Sequence, residues 1–286
     1  MKPWLCCASV AVVVAVCATA PARADVSAGT AALQAALRAE RLFDGDVDGV
    51  AGPMTRAAVR RLQARHGLAV DGIAGPRTRR ALGRRGRPRL GSRPLSEGAR
   101  GWDVAALQFL LARHGFPSGP VDGGLGARTA GALRRFQTWA GMAADGIGGP
   151  ATLAALRRAP PRSPLRFAWP VGAPLGDRFG PRGASSHSGV DFPAAAGTPV
   201  TAAGYGCVES AGWNAGGYGR LVIVRHRLGM TSWYAHLARI AVRRGTCLRA
   251  GDRVGTVGSS GHASGPHLHF ELRLRDAAVD PLTGLG

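Results

Sequence analysis

The chain has 286 residues, enough for two or three domains, and a formal net charge of +20 carried almost wholly by arginine. Such a surface attracts polyanions, and an exported chain meets the anionic polymers of a cell wall first. No aromatic-interleaved basic motif or zinc-finger spacing favours a specific nucleic-acid partner. Beyond the N-terminal segment no stretch approaches the roughly eighteen apolar residues of a membrane span.

Residues 1–24 read as a secretory signal: Lys2, an apolar stretch from Trp4 to about Ala20, then Ala22-Arg23-Ala24 as a small-x-small cleavage site. The alternative is an uncleaved anchor. The expected mature chain is secreted, either periplasmic or wall-associated, with no membrane span left after cleavage. Cys6, Cys7 and Cys17 would leave with the signal. Cys207 and Cys247 remain, and an even pair in an oxidising compartment invites a disulfide, although sequence leaves its geometry open.

The N-terminal half contains a duplication. Leu33-Gln34 recurs at Leu107-Gln108, Val47-Asp48-Gly49 at Val121-Asp122-Gly123, and Asp71-Gly72-Ile73 at Asp145-Gly146-Ile147, always at one offset. Each copy also echoes itself, since DGVAGPMT is followed by DGIAGPRT. Two small modules of one fold are therefore expected, at 29–83 and 101–157. Apolar residues recur at helical spacing in AALQAAL and TRAAVRRLQARHGL. The D-G-x-x-G-P-x-T elements read as turns into helices, with Pro in the first turn and Thr as a helper cap. No P-loop lysine follows these glycine-rich turns, so phosphate binding is not expected. Asp44, Asp46 and Asp48 imitate the start of a calcium loop, but Thr55 stands where that loop needs Glu, so calcium is not expected either.

Two Pro/Arg/Ser-rich segments, 84–100 and 158–165, read as linkers. From 166 to 286 helical periodicity fades, and short apolar runs such as Leu221–Val224 alternate with Gly/Pro turns. The fold class predicted is multidomain: two all-α, three-helix modules, then a mainly antiparallel all-β domain.

Four residues of that last domain read as one metal site: His187 and Asp191 in HSGVD, and His267 and His269 in GPHLHFE. His236 in WYAHL lies between them. Imidazoles with one carboxylate suit zinc, and three protein ligands leave a position for a reactive water. Strict alternation in HLHFELRL predicts a half-buried strand with both histidines on its polar face. His187 and Asp191 would share a face of a strand, since Gly189, Val190 and Pro193 disfavour helix there. Which of the four bind metal the spacing leaves open. His226, His66 and His114 have no partner motif, and His262, in a Gly/Ser loop, is read as lining the cleft without being a ligand.

From about Phe167 to Asp280 the chain resembles the lysostaphin-type (LytM-like) zinc metallopeptidases. The resemblance runs through WPV, DRFGPR, HSGVDF, GTPVTAAGYGCV, GYGRLVIVRH, YAHL, GDRVGTVGSSG and GPHLHFEL. The N-terminal copies resemble the peptidoglycan-binding modules often attached to wall hydrolases. The resemblance implies zinc held by His187, Asp191 and His269, with His236 and His267 as the catalytic pair. It implies an exported endopeptidase that hydrolyses cross-links or stem and bridge peptides of peptidoglycan, anchored there by the repeats. Some relatives lack these residues and only activate other hydrolases, so a non-catalytic wall-binding regulator is the alternative; this chain lacks none of them. One departure is the cysteine pair, where apolar residues are more usual.

Overall fold

A computed structural model describes residues 26–286; the expected signal segment and its three cysteines lie outside the described residues. Three helices form the first repeat: α1 (Ala28–Ala39), α2 (Pro53–Arg65) and α3 (Pro76–Ala81). The second has α4 (Trp102–Arg113), α5 (Ala127–Trp139) and α6 (Pro150–Leu156), each starting at the position equivalent to its counterpart. Among the described residues no helix is long and apolar enough to cross a membrane.

Local chemistry explains these helices. α2, α3 and α6 each begin with a glycine at the cap and a proline in the first turn, where the missing N–H costs nothing. The threonine read as a cap does something else. Thr55 sits inside α2, donates its hydroxyl back to the Val50 carbonyl and accepts from Gln34 Nε2 at 3.1 Å. The loop before it is closed by that glutamine, whose Nε2 donates to Asp48 Oδ1 at 2.6 Å and whose Oε1 accepts from Gly49 N at 2.8 Å. Gly49, at φ 75°, adopts a left-handed conformation that glycine tolerates best. Gln63, Gln108 and Gln137 build the same clasp with Asp71, Asp122 and Asp145. All four glutamines are buried.

The repeats are not separate beads. Trp102, Phe109 and Val121 of the second pack into one apolar cluster with Leu33, Leu37 and Phe43 of the first. The Pro/Arg/Ser-rich stretch 84–100 is packed as well. Leu95 is fully buried and pairs with Gly148, and Arg93 holds the buried Asp103 at 2.8 Å.

The C-terminal part is a β domain. Its strands are β1 (Gly180–Arg182), β2 (Ser185–His187), β3 (Val190–Pro193), β4 (Pro199–Thr201), β5 (Gly206–Asn214) and β6 (Gly219–Arg225). They continue with β7 (Met230–Ala235), β8 (Arg239–Ile240), β9 (Cys247–Leu248), β10 (Arg253–Thr256), β11 (His267–Leu274) and β12 (Ala277–Val279). The main sheet runs β12-β11-β7-β6-β5-β9, with β3 also paired to β11. The pairings within it are antiparallel. β4, β10 and β8 form a second sheet, and β1 with β2 a hairpin. Val190, Phe192, Val222, Tyr234, Leu268 and Phe270 centre the core. Cys207 and Cys247 face each other across β5 and β9 and form a disulfide.

The second repeat docks on this domain. Trp139 Nε1 donates to the Leu274 carbonyl at 3.0 Å, and Ala278 N to Gly115 O at 3.3 Å. Ala277 completes the apolar cluster of that repeat. The tip of the β1–β2 hairpin is gripped from both repeats at equivalent positions: Val47 N donates to Gly183 O at 2.9 Å and Val121 N to Ala184 O at 2.8 Å.

Candidate metal centre

β11 presents its residues as alternation predicts, with Leu268, Phe270 and Leu272 fully buried on one face. The other face is also covered rather than open. His269 is 6% exposed and Glu271 0%, because Tyr218, Ser188 and Arg273 close over them. His187 and Asp191 do not share one strand as expected. His187 ends β2 and Asp191 lies in β3, with Ser188 and Gly189 turning between them. That turn presses on β11 so closely that a Cβ on Gly189 would run into the Phe270 carbonyl and the His269 ring.

Three side chains converge. His187 Nε2 lies 3.0 Å from His269 Nδ1 and 3.2 Å from Asp191 Oδ1, and His269 Nδ1 lies 2.8 Å from that oxygen. The far nitrogens fix the tautomers. His187 Nδ1 faces the Arg178 carbonyl at 2.9 Å, and His269 Nε2 faces Glu271 Oε1 at 3.0 Å, so each of these nitrogens donates. With neutral rings the triangle then holds three acceptors and no donor, which a metal ion at its centre or a proton on one ring relieves. These are the donor types zinc prefers, each imidazole braced by an outer partner. Among the described residues this is the one group with ligand-like clustering.

Protons compete for the same place. Burial opposes charging His269, but the hydrogen bonds to Asp191 and Glu271 outweigh it and raise its pKa to about 9. Burial alone would push the Asp191 carboxyl up, but the two imidazoles hold it well below the usual carboxylate range. Glu271 is likewise opposed by burial and held at about 2 by His269 and Arg273.

His236 and His267 stand beside the triangle with ring centres 4.7 Å apart. His267 Nδ1 donates to Gly265 O at 2.9 Å, and its Nε2 lies 3.8 Å from Asp191 Oδ1. His236 Nδ1 donates to Ser260 O at 2.8 Å. His236 follows β7 in a left-handed conformation, φ 58°, with its N–H on Tyr218 O. This uncommon backbone swings the imidazole out of the strand direction into the cleft. Burial, first, and the neighbouring histidines lower its pKa, so it is neutral at neutral pH.

All five lie in one cleft of about 1090 Å³, which His262 also lines. His226 and His114 are elsewhere, buried and bonded to Tyr205 O and Leu156 O. Sequence reasoning missed Glu271, though it stands on the histidine face of the alternating strand. Tyr218, in the loop between β5 and β6, and Arg182, at the end of β1, stand in the motifs GYGRLVIVRH and DRFGPR, which gave neither a role. Arg182 reaches Asp191 Oδ2 at 2.9 Å.

Comparison with known proteins finds two family matches. Residues 185–281 match the model of "Peptidase family M23". Residues 27–82 and 100–156 match that of a "Putative peptidoglycan binding domain". An uncharacterized metalloprotease of Haemophilus influenzae is 42% identical over 34% of this chain and 20% of its own length. The DD-carboxypeptidase/endopeptidase Mpg of Neisseria meningitidis is 41% identical over 34% of this chain and 22% of its own. The catalytic domain of the antimicrobial peptidase lysostaphin from Staphylococcus simulans is 34% identical, covering 38% of this chain and 90% of that one, with a TM-score of 0.37. The match spans only about a fifth of the two curated relatives.

Proposed function

We propose that this chain, whose residues 185–281 match the model of peptidase family M23 and whose repeats match that of a peptidoglycan-binding domain, is an exported zinc metalloendopeptidase that cuts peptide cross-links or stem and bridge peptides of peptidoglycan. The proposed boundaries are 29–83 and 101–157 for the repeats and 166–286 for the peptidase. In this reading His187, Asp191 and His269 hold zinc, and His236 and His267 are the catalytic pair. The observation that carries it is the acceptor triangle, three lone pairs within 3.2 Å of one another.

Zinc held there supplies a Lewis acid for the scissile carbonyl and lowers the pKa of a water molecule toward about 7. The chain's own groups supply the proton traffic. His236 and His267 commit Nδ1–H to backbone carbonyls, so each offers a lone pair on Nε2. One accepts the proton of the attacking water. An imidazole so protonated becomes a donor for the oxyanion or the leaving amine. The repeats keep the enzyme on an insoluble substrate and raise its effective concentration there.

The test is digestion of purified walls followed by mass spectrometry of the released fragments. New amino and carboxyl ends should appear, vanish with chelator and return with zinc. Walls left intact by the zinc-loaded protein alone would sink the enzyme and favour a regulator of other hydrolases.

A further inference from the structure

The cleft is not built by the peptidase domain alone. Arg128, in the first turn of α5 in the second repeat, lines it together with the five site residues. We infer that Arg128 is a specificity-determining residue, which takes a carboxylate of the peptide entering the cleft.

Charge bookkeeping within the lining singles it out. Two arginines line the cleft, Arg128 and Arg182. Arg182 is held by Asp177 and Asp191, which are the carboxylates of the lining. Arg128 is exposed, and among the described residues it makes neither an ion pair nor a side-chain hydrogen bond. Its charge therefore faces whatever occupies the cleft. Arginine offers a planar fork that matches a carboxylate, and it loses little freedom when its backbone is already fixed.

The backbone is fixed. The next residue, Thr129, is locked by Gln108 Nε2 at 3.2 Å and bonds Gly124 O at 3.3 Å. The repeat itself is held to the peptidase domain through Trp139 and Gly115, and its Val121 grips the hairpin that ends in His187. The distance from Arg128 to the metal triangle is thus set by packing, not by a flexible tether.

The helix-start motif does not require arginine here. The equivalent residue of the first repeat is Met54, which is 60% exposed and lines no part of the cleft. The other two starts carry Arg77 and Ala151. This variable place is occupied by a cation in the copy that reaches the site.

The inference rests on the peptidase reading, and one experiment separates the two. Zinc-loaded full-length protein and its Arg128→Ala and Arg128→Lys variants are assayed on a soluble cross-linked peptide with free carboxylates and on the same peptide with those carboxylates amidated. Arg128→Ala should raise KM for the free-acid peptide about five- to tenfold with kcat nearly unchanged, and leave the amidated peptide unaffected. Arg128→Lys should recover part of the loss. Equal KM for wild type and Arg128→Ala on the free acid, or equal losses on both peptides, overturns the inference while the enzyme stands. A wild type that cleaves neither peptide overturns the peptidase reading and this inference with it.

Discussion

In each helical repeat two buried glutamines find partners for their amide atoms, whereas in the β domain two imidazoles and a carboxylate converge on a point that a proton or a metal ion must fill. Gln108, 2% exposed, gives and receives hydrogen bonds within its own loop. His187 and His269 spend one N–H each on an outer partner, and with Asp191, all three 6–8% exposed, they turn a nitrogen or an oxygen toward one point. Buried polar groups are tolerated when paired. A satisfied network specifies a fold, and an unsatisfied one of matching donor type marks a ligand site.

His269→Ala removes one corner of the triangle and frees Glu271 of its imidazole. Zinc should be lost and wall hydrolysis should fall to background. Metal analysis of the dialysed variant alongside a lysis assay checks this, and stoichiometric zinc would show that the triangle is not the site. His267→Ala leaves the triangle whole. Hydrolysis should drop about 10²- to 10⁴-fold while zinc stays bound; near-normal activity would remove His267 from the proton traffic.

Glu271→Gln changes no shape but exchanges the charged acceptor behind His269 for an amide. Zinc affinity should fall about 10- to 100-fold, as read by competition with a chelating dye. An unchanged affinity would mean that burial alone, without the carboxylate, orients the imidazole.

The legibility of these two networks in sequence differs for a physical reason. β11 is a regular strand, so period-two alternation alone placed His267 and His269 on one face. Helical periodicity and the constant repeat offset likewise placed six helices. What stayed hidden depends on chain segments meeting. Asp191 and His187 occupy two strands because Gly189 permits a sharp approach to β11. His236 reaches the cleft through a left-handed backbone that no pattern announces. The glutamine of each clasp was visible only as a mark of duplication, since its partners lie across a loop. The docking of the second repeat, and Arg128 with it, lies beyond any local code.

Gln108→Ala and Gln34→Ala test the satisfied half of the comparison. Each leaves a buried glycine N–H without its acceptor and takes a donor from an aspartate, a loop carbonyl and a threonine hydroxyl, at a cost of about 2 kcal/mol. Calorimetry should show the melting temperature lowered by roughly 5 °C. Zinc content per folded molecule should not change, because neither glutamine touches the metal triangle. Loss of zinc in Gln108→Ala but not in Gln34→Ala would mean that the docked repeat sustains the hairpin carrying His187.

The smallest effect concerns a second satisfied network, inside the β domain itself. His226 Nδ1 donates to Tyr205 O at 2.7 Å, and its Nε2 accepts from Ser232 Oγ at 2.8 Å, which in turn lies 3.0 Å from the Tyr234 hydroxyl. Burial lowers the pKa of His226 below its ordinary 6.5, in spite of the Tyr205 carbonyl. The folded state therefore binds fewer protons than the unfolded one just below that pH. The contribution is complete above about 6.5 and is lost as the pH falls through the lowered value. Thermal melts at pH 8 and pH 5 should show the gap between wild type and His226→Gln narrowing by a few degrees on acidification. A gap that stays constant would mean that His226 is not held neutral, and that a histidine can be buried here without a closed chain of partners.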